Sequence, residues 1–243
     1  MKKSIVTALL ALVGLANGQA QQLSDTFTTP GGKTVKLTCI KHASIMIEYE
    51  GMVFYVDPVS GLEPQTDFSQ WPKARYILIT HEHNDHFDRQ AIATLRNQGT
   101  MIYENKAVYD IFHNGVPMAN GDSLMLANDI TLKAVPAYNT TPGREKFHPK
   151  GRDNGYVLQL DGLRIYIAGD TEDIPEMSQL SNIDIAFLPC NQPYTMTVEQ
   201  LVRAANVIKP KVLFPYHYNN TPVHQASMEL VGSGIDVRIR PYR

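Results

Sequence analysis

Thr80-His81-Glu82-His83-Asn84-Asp85-His86 puts three imidazoles and an aspartate within six residues, directly after the apolar run Tyr76-Ile77-Leu78-Ile79. Neutral imidazole and carboxylate are the groups that zinc and related ions bind, and a loop at a strand's end lets several such side chains converge. One histidine alone would be read as a packing or surface residue. Three, with an aspartate in HxHxDH order, point to a metal site. Two more candidates end apolar runs in the same manner: Asp170 closes Ile167-Ala168-Gly169, and His217 closes Phe214-Pro215-Tyr216. A protein nucleophile has no support here. The sequence holds no GxSxG elbow, and Cys190 has no neighbouring base.

The elements that would carry these residues are short. Strands are expected over 33–40, 44–49 and 52–56, with Glu50-Gly51 as the turn of a tight hairpin. Residues 76–79 read as a buried strand, 88–97 as a helix, 101–103 as a strand and 106–112 as a helix ending at Asn114-Gly115. Strands follow over 123–126, 130–135, 156–160 and 164–168, the last two joined by Asp161-Gly162, and then over 183–188. Residues 197–208 form a helix capped by Thr197 with Glu199 in its first turn, and 212–215 a last inner strand. This is an α/β pattern of two β-rich halves, each closing with helix and strand. It implies two sheets face to face under outer helices. No repeat, low-complexity tract or linker is legible in the sequence.

The HxHxDH segment resembles the metal-binding signature of the metallo-β-lactamase superfamily. Phe54-Tyr55-Val56-Asp57-Pro58, Ile167-Ala168-Gly169-Asp170-Thr171 and Phe214-Pro215-Tyr216-His217 resemble further family segments in order. In these motifs the chain resembles the branch that contains the ascorbate-6-phosphate lactonases and broad metal-dependent hydrolases. The resemblance implies a four-layer αββα sandwich. It assigns His81 and His83 to one metal, Asp85, His86 and His217 to another, and Asp170 to a bridge. It also places His42, which opens a strand returning toward Asp57, near the site in contact with ligands or substrate. Asp57 would accept the free N–H of a ligating imidazole.

One departure stands out. The family supplies a further histidine between His86 and Asp170, where this chain reads Val135-Pro136-Ala137-Tyr138-Asn139. His148 could swing in as a replacement, Asn139 could ligate through its amide oxygen, or the first site could be weak or empty. His113 reads as a helix-end histidine, and His224 as a residue at the pocket mouth at most. The implied chemistry is hydrolysis of an ester, lactone, amide or phosphoester. A bound zinc, or manganese, lowers the pKa of water from 15.7 toward about 7, and Asp85 or Asp170 orients that water. The alternative is a catalytically weak metal-binding protein on the same fold. Arg144, Lys146, Lys150 and Arg152 lie in one loop that would suit a small anionic substrate.

Composition sets the context. Lys2-Lys3, an apolar run from Ile5 to Leu15 and the small residues before Gln21 have the form of a secretory signal peptide over 1–20. The run is too short for a membrane anchor, and Gln21-Gln22 exclude a lipoprotein cysteine. The expectation is an exported, periplasmic or secreted protein with one domain over 21–243. A formal charge of −2 with no basic block argues against nucleic acid. Cys39 and Cys190 sit in apolar runs and read as buried small residues, although export would permit a disulfide.

Overall fold

The computed structural model describes residues 23–242; the expected signal peptide lies outside them. The first sheet is built from β1 (Ser24–Thr28), β2 (Thr34–Lys41), β3 (Ser44–Tyr49), β4 (Met52–Val56), β5 (Tyr76–Leu78), β6 (Met101–Glu104) and β7 (Val116–Pro117), paired in that order. Helices α1 (Arg89–Leu95) and α2 (Lys106–Phe112) belong to this half. The second sheet is built from β8 (Ser123–Ala127), β9 (Ile130–Ala137), β10 (Asp153–Leu160), β11 (Leu163–Ile167), β12 (Ile185–Pro189), β13 (Val212–Tyr216) and β14 (Asp236–Val237), with α3 (Val198–Ile208) and α4 (His224–Glu229). Each sheet opens with three antiparallel pairings and ends with three parallel ones. The fold is the αββα sandwich.

Alternation sorts the side chains between layers, because successive residues of a strand face opposite sides. Ile45, Ile47, Phe54, Val56, Tyr76 and Leu78 enter the large core between the sheets. Met46, Tyr55, Ile77 and Ile79, one position out of phase, pack with Ala91, Ile92 and Leu95 of α1. Both faces are covered, so these strands read as continuous apolar runs rather than as polar–apolar alternation. Asp88 caps α1 by accepting from the N–H groups of Gln90 and Ala91, and Thr197 and Gln200 form a reciprocal capping box on α3.

The observed elements depart from the sequence reading in a few places. β1 has one large apolar residue, Phe27, and β7 and β14 are two residues each, too short for a periodic signal. The six-residue α4 lacks a side-chain cap. β10 starts at Asp153 rather than Tyr156 because its first residues are buried polar groups: Asn154 donates to the Met118 carbonyl and accepts from Asn120. Cys39 and Cys190 are buried free thiols. No helix among the described residues is long and apolar enough to cross a membrane.

The two halves are joined at one end. The Tyr156 hydroxyl donates to the Ile79 carbonyl at 2.7 Å, and the Asn154 N–H to the Thr80 carbonyl at 3.1 Å. Gly169 permits this approach. Its φ is +67°, and a Cβ there would lie 2.7 Å from the Asn154 carbonyl oxygen.

Glu104, at the end of β6, is fully buried, and neither carboxylate oxygen has a hydrogen-bond partner among the described residues. Burial pushes its pKa up to about 7. A carboxyl whose folded pKa is raised favours folding while protonated, so that contribution is complete below the unfolded pKa and is lost as pH rises through about 7. Thermal melts of Glu104→Gln should therefore decline less steeply between pH 5 and 8 than those of the parent. Identical slopes would show that Glu104 is not the group responsible.

Candidate metal centre

The chemistry-bearing residues lie where the parallel strands end. Asp57 follows β4, His81–His86 follow β5, Asp170 follows β11 and His217 follows β13. His42 sits in the β2–β3 turn, and His148 in the long β9–β10 connection. His42, Asp57 and His217 have φ of 45°, 42° and 49°, in the left-handed region that non-glycine residues avoid. Such strain persists where surrounding structure holds it, and it concentrates at functional sites.

Three groups of donors are close enough to share an ion: His81, His83 and His148; His42, Asp85, His86 and His217; and His81, His86 and Asp170, with the ligand atoms of each group within 4.8 Å of one another. Asp170 lies between the first two. Its oxygens stand 3.4 Å from His148 Nε2, 3.3 Å from His86 Nε2 and 3.2 Å from His217 Nε2. His148 is therefore inside the cluster. Asn139 holds the loop through its side-chain NH₂, which donates to the carbonyls of Arg144 and Tyr194, and its backbone N–H, which donates to the His148 carbonyl at 2.8 Å; its amide oxygen is buried without a hydrogen-bond partner among the described residues.

Outer contacts fix the imidazoles. Asp57, fully buried, accepts from the Thr80 N–H at 2.8 Å, the Thr80 hydroxyl at 2.6 Å and His86 Nδ1 at 2.8 Å. His148 Nδ1 meets Asp153 at 2.9 Å, and His81 Nδ1 meets the Thr80 hydroxyl at 3.0 Å. An imidazole whose Nδ1–H is given to an oxygen offers the Nε2 lone pair inward, as a ligand must. Thr80 and Asp153 were missed in the sequence. Thr80 merely ends the apolar run 76–79, and Asp153 carries no pattern of its own. His113 caps the end of α2, and His224 is exposed on α4; neither joins the cluster.

Burial holds His81, His83 and His42 below the ordinary histidine value, and neighbouring imidazoles reinforce it. All three are thereby held toward the neutral form, the form in which an imidazole can ligate. Burial also opposes charge on His86 and His217, but there the carboxylates win. Asp170 and Asp57 raise His86 well above the ordinary value, and Asp170 and Asp85 raise His217 to about 9. Asp170 and Asp85 are lowered in turn, despite burial, chiefly by His217. Protons here occupy the electrostatic place of a cation. A metal ion entering would displace them.

The atoms facing this space also fit a metal. His86 Nε2, His217 Nε2 and Asp170 Oδ1 are buried and have no hydrogen-bond partner among the described residues. They lie 3.2–3.3 Å from oppositely charged atoms, yet they are not aligned as hydrogen bonds. All three belong to the donor groups gathered around Asp170. Buried polar atoms normally find partners, so three orphans converging on one space call for a shared one.

The basic loop has its charges engaged. Arg152 contacts Asp153 at 2.6 Å and Glu82 at 3.2 Å, Lys150 contacts Glu176 at 2.8 Å, and Arg144 lies 3.6 Å from Glu172. Lys146 lies over the Phe147 ring.

The β-lactamase superfamily domain matches residues 36–217 of the chain, from β2 to His217. This chain belongs to the metallo-β-lactamase superfamily. Within the superfamily it is similar to a UPF0173 metal-dependent hydrolase of Ligilactobacillus salivarius, 32% identical over 77% of this chain and 87% of that one. It is 29% identical to a UPF0173 metal-dependent hydrolase of Nanoarchaeum equitans, over 79% of this chain and 87% of the other. A crystal structure from Parabacteroides distasonis, provisionally described as a metal-dependent hydrolase, is 50% identical, with a TM-score of 0.89 over 91% of this chain and 100% of that one. Igni18, a metallo hydrolase of Ignicoccus hospitalis, has a TM-score of 0.72 and 26% identity over 86% of this chain and 95% of that one. The expected place within the ascorbate-lactonase-like branch is a finer point that these likenesses leave aside.

Asp153→Asn keeps the shape of the His148 contact but removes its charge. Metal affinity, measured by competition with a chelator, should fall about 10–100-fold, as for other losses of an outer partner of a ligating histidine. Unchanged affinity would mean that His148 does not depend on Asp153.

Proposed function

We propose that this member of the superfamily is an exported hydrolase with two divalent ions, zinc by preference, acting on an ester, lactone, amide or phosphoester bond of a small molecule. The observation that carries the reading is the pair of donor clusters flanking one shared carboxylate, Asp170. His81, His83 and His148 would hold one ion, and Asp85, His86 and His217 the other, with Asp170 between them. The imidazole-rich donor set favours zinc over manganese. When bound, such ions supply Lewis acidity and lower the pKa of water.

The chain's own residues supply the rest. Asp170 is 3% exposed and fixed between imidazoles, which suits a carboxylate that orients without moving. The Asp85 side chain is 36% exposed, so it is the site carboxylate that substrate and water can reach. It would hold and orient the attacking water by accepting a hydrogen bond from it. The loop that carries His148 lies against Tyr194 through Phe147, with ring centroids 5.0 Å apart. Because Arg144, Lys150 and Arg152 already face carboxylates, this loop gives an anionic substrate less support than its composition suggested. Export rests on residues 1–20 and requires a mature protein beginning at Gln21.

His81→Ala combined with His83→Ala should remove most of the metal from the purified protein, read by elemental analysis. Asp170→Asn should keep the fold by circular dichroism. It should lower turnover by more than the roughly 10–100-fold typical of losing an outer contact, on a substrate found by screening lactones, esters and phosphodiesters. Full metal content in the double variant would overturn the site, and wild-type turnover in Asp170→Asn would overturn the bridging role.

A further inference from the structure

We propose that His42 is a metal ligand, the fifth protein donor to the ion held by Asp85, His86, His217 and Asp170; this rests on the two-ion reading above. Its Nε2 lies 3.1 Å from Asp85 Oδ2. Its ligand atom falls within 4.8 Å of those of Asp85, His86 and His217. Donors at about 2.0–2.2 Å from a common ion necessarily stand a few ångströms apart in this way.

The backbone is built to place it there. His42 is 6% exposed and adopts a left-handed φ of 45° in the tight β2–β3 turn. Its carbonyl accepts the His217 N–H at 3.1 Å, and the two rings stand 3.8 Å apart between centroids. The strained turn therefore locks one buried imidazole against another. A shared cation uses the lone pairs that this arrangement brings together.

Topology gives an independent reason. Both sheets run three antiparallel pairings and then three parallel ones, so β2 and β3 in the first half correspond to β9 and β10 in the second. The β2–β3 connection delivers His42 and the β9–β10 connection delivers His148. Each half thus sends one histidine from the same connection into the centre: His148 to the His81–His83 group, His42 to the Asp85–His86–His217 group. The two ions become unequal. One would have His42, Asp85, His86, His217 and Asp170, a nearly closed set; the other His81, His83, His148 and Asp170, which leaves room for an outside ligand. The fuller set would bind its ion more tightly.

The competing role for His42 is to orient Asp85 by a hydrogen bond. Cobalt(II) loading of the full chain separates the two. Each ligating imidazole with a protonated second nitrogen gives one exchangeable N–H resonance shifted far outside the ordinary proton range. His42→Ala and the bulkier His42→Gln should each lack one such resonance. They should also bind the tighter cobalt equivalent about 100-fold more weakly or worse, while the metal-free variants melt at the parent's temperature. A complete set of shifted resonances in either variant, or unchanged cobalt affinity, would overturn the assignment of His42. A parent chain that binds no cobalt would instead overturn the metal reading itself.

Discussion

Asp170 is a buried carboxylate with three imidazole nitrogens within 3.4 Å. Isolated, such a charge would be too unfavourable to keep ionised in an apolar interior. The surrounding fold supplies the compensation. β5, β11 and β13 end at the same place, so His86, Asp170 and His217 meet without any one of them being on a long flexible loop. Gly169 lets β11 approach Thr80, and Asp57 grips both Thr80 and His86. Removing this convergence would leave several buried polar atoms with nothing to face.

That electrostatic balance links structure to chemistry. Without a cation, protons on His86 and His217 offset Asp170, Asp85 and Asp57. A cation taking those nitrogens as ligands would displace the protons. The same donors therefore serve folding in one state and catalysis in the other, and the site's affinity for metal should rise with pH as its imidazoles deprotonate.

Much of this was legible in the sequence because the fold's signals coincide with its function. HxHxDH, Gly169-Asp170 and Tyr216-His217 each follow a buried apolar run, and a strand covered on both faces is a plain sequence feature. His148 was visible only as the nearest spare histidine. Its placement depends on Asp153 and on the Asn139 backbone, contacts between residues that carry no pattern of their own. The duplicated topology left no repeat in the sequence, because pairing order is set by which strands meet and not by residue identity. β7, β14 and the polar start of β10 escaped for a similar reason: they are held by neighbouring strands and side-chain hydrogen bonds rather than by periodic apolar residues. The charges of the 144–152 loop looked free in one dimension and are matched in three.

The most direct test of the account is anomalous diffraction at the zinc edge from crystals of the protein equilibrated with zinc. Two peaks should appear on either side of Asp170, one within bonding distance of His81, His83 and His148, the other of His42, Asp85, His86 and His217. No peak at Asp170, or peaks only elsewhere on the molecule, would contradict it.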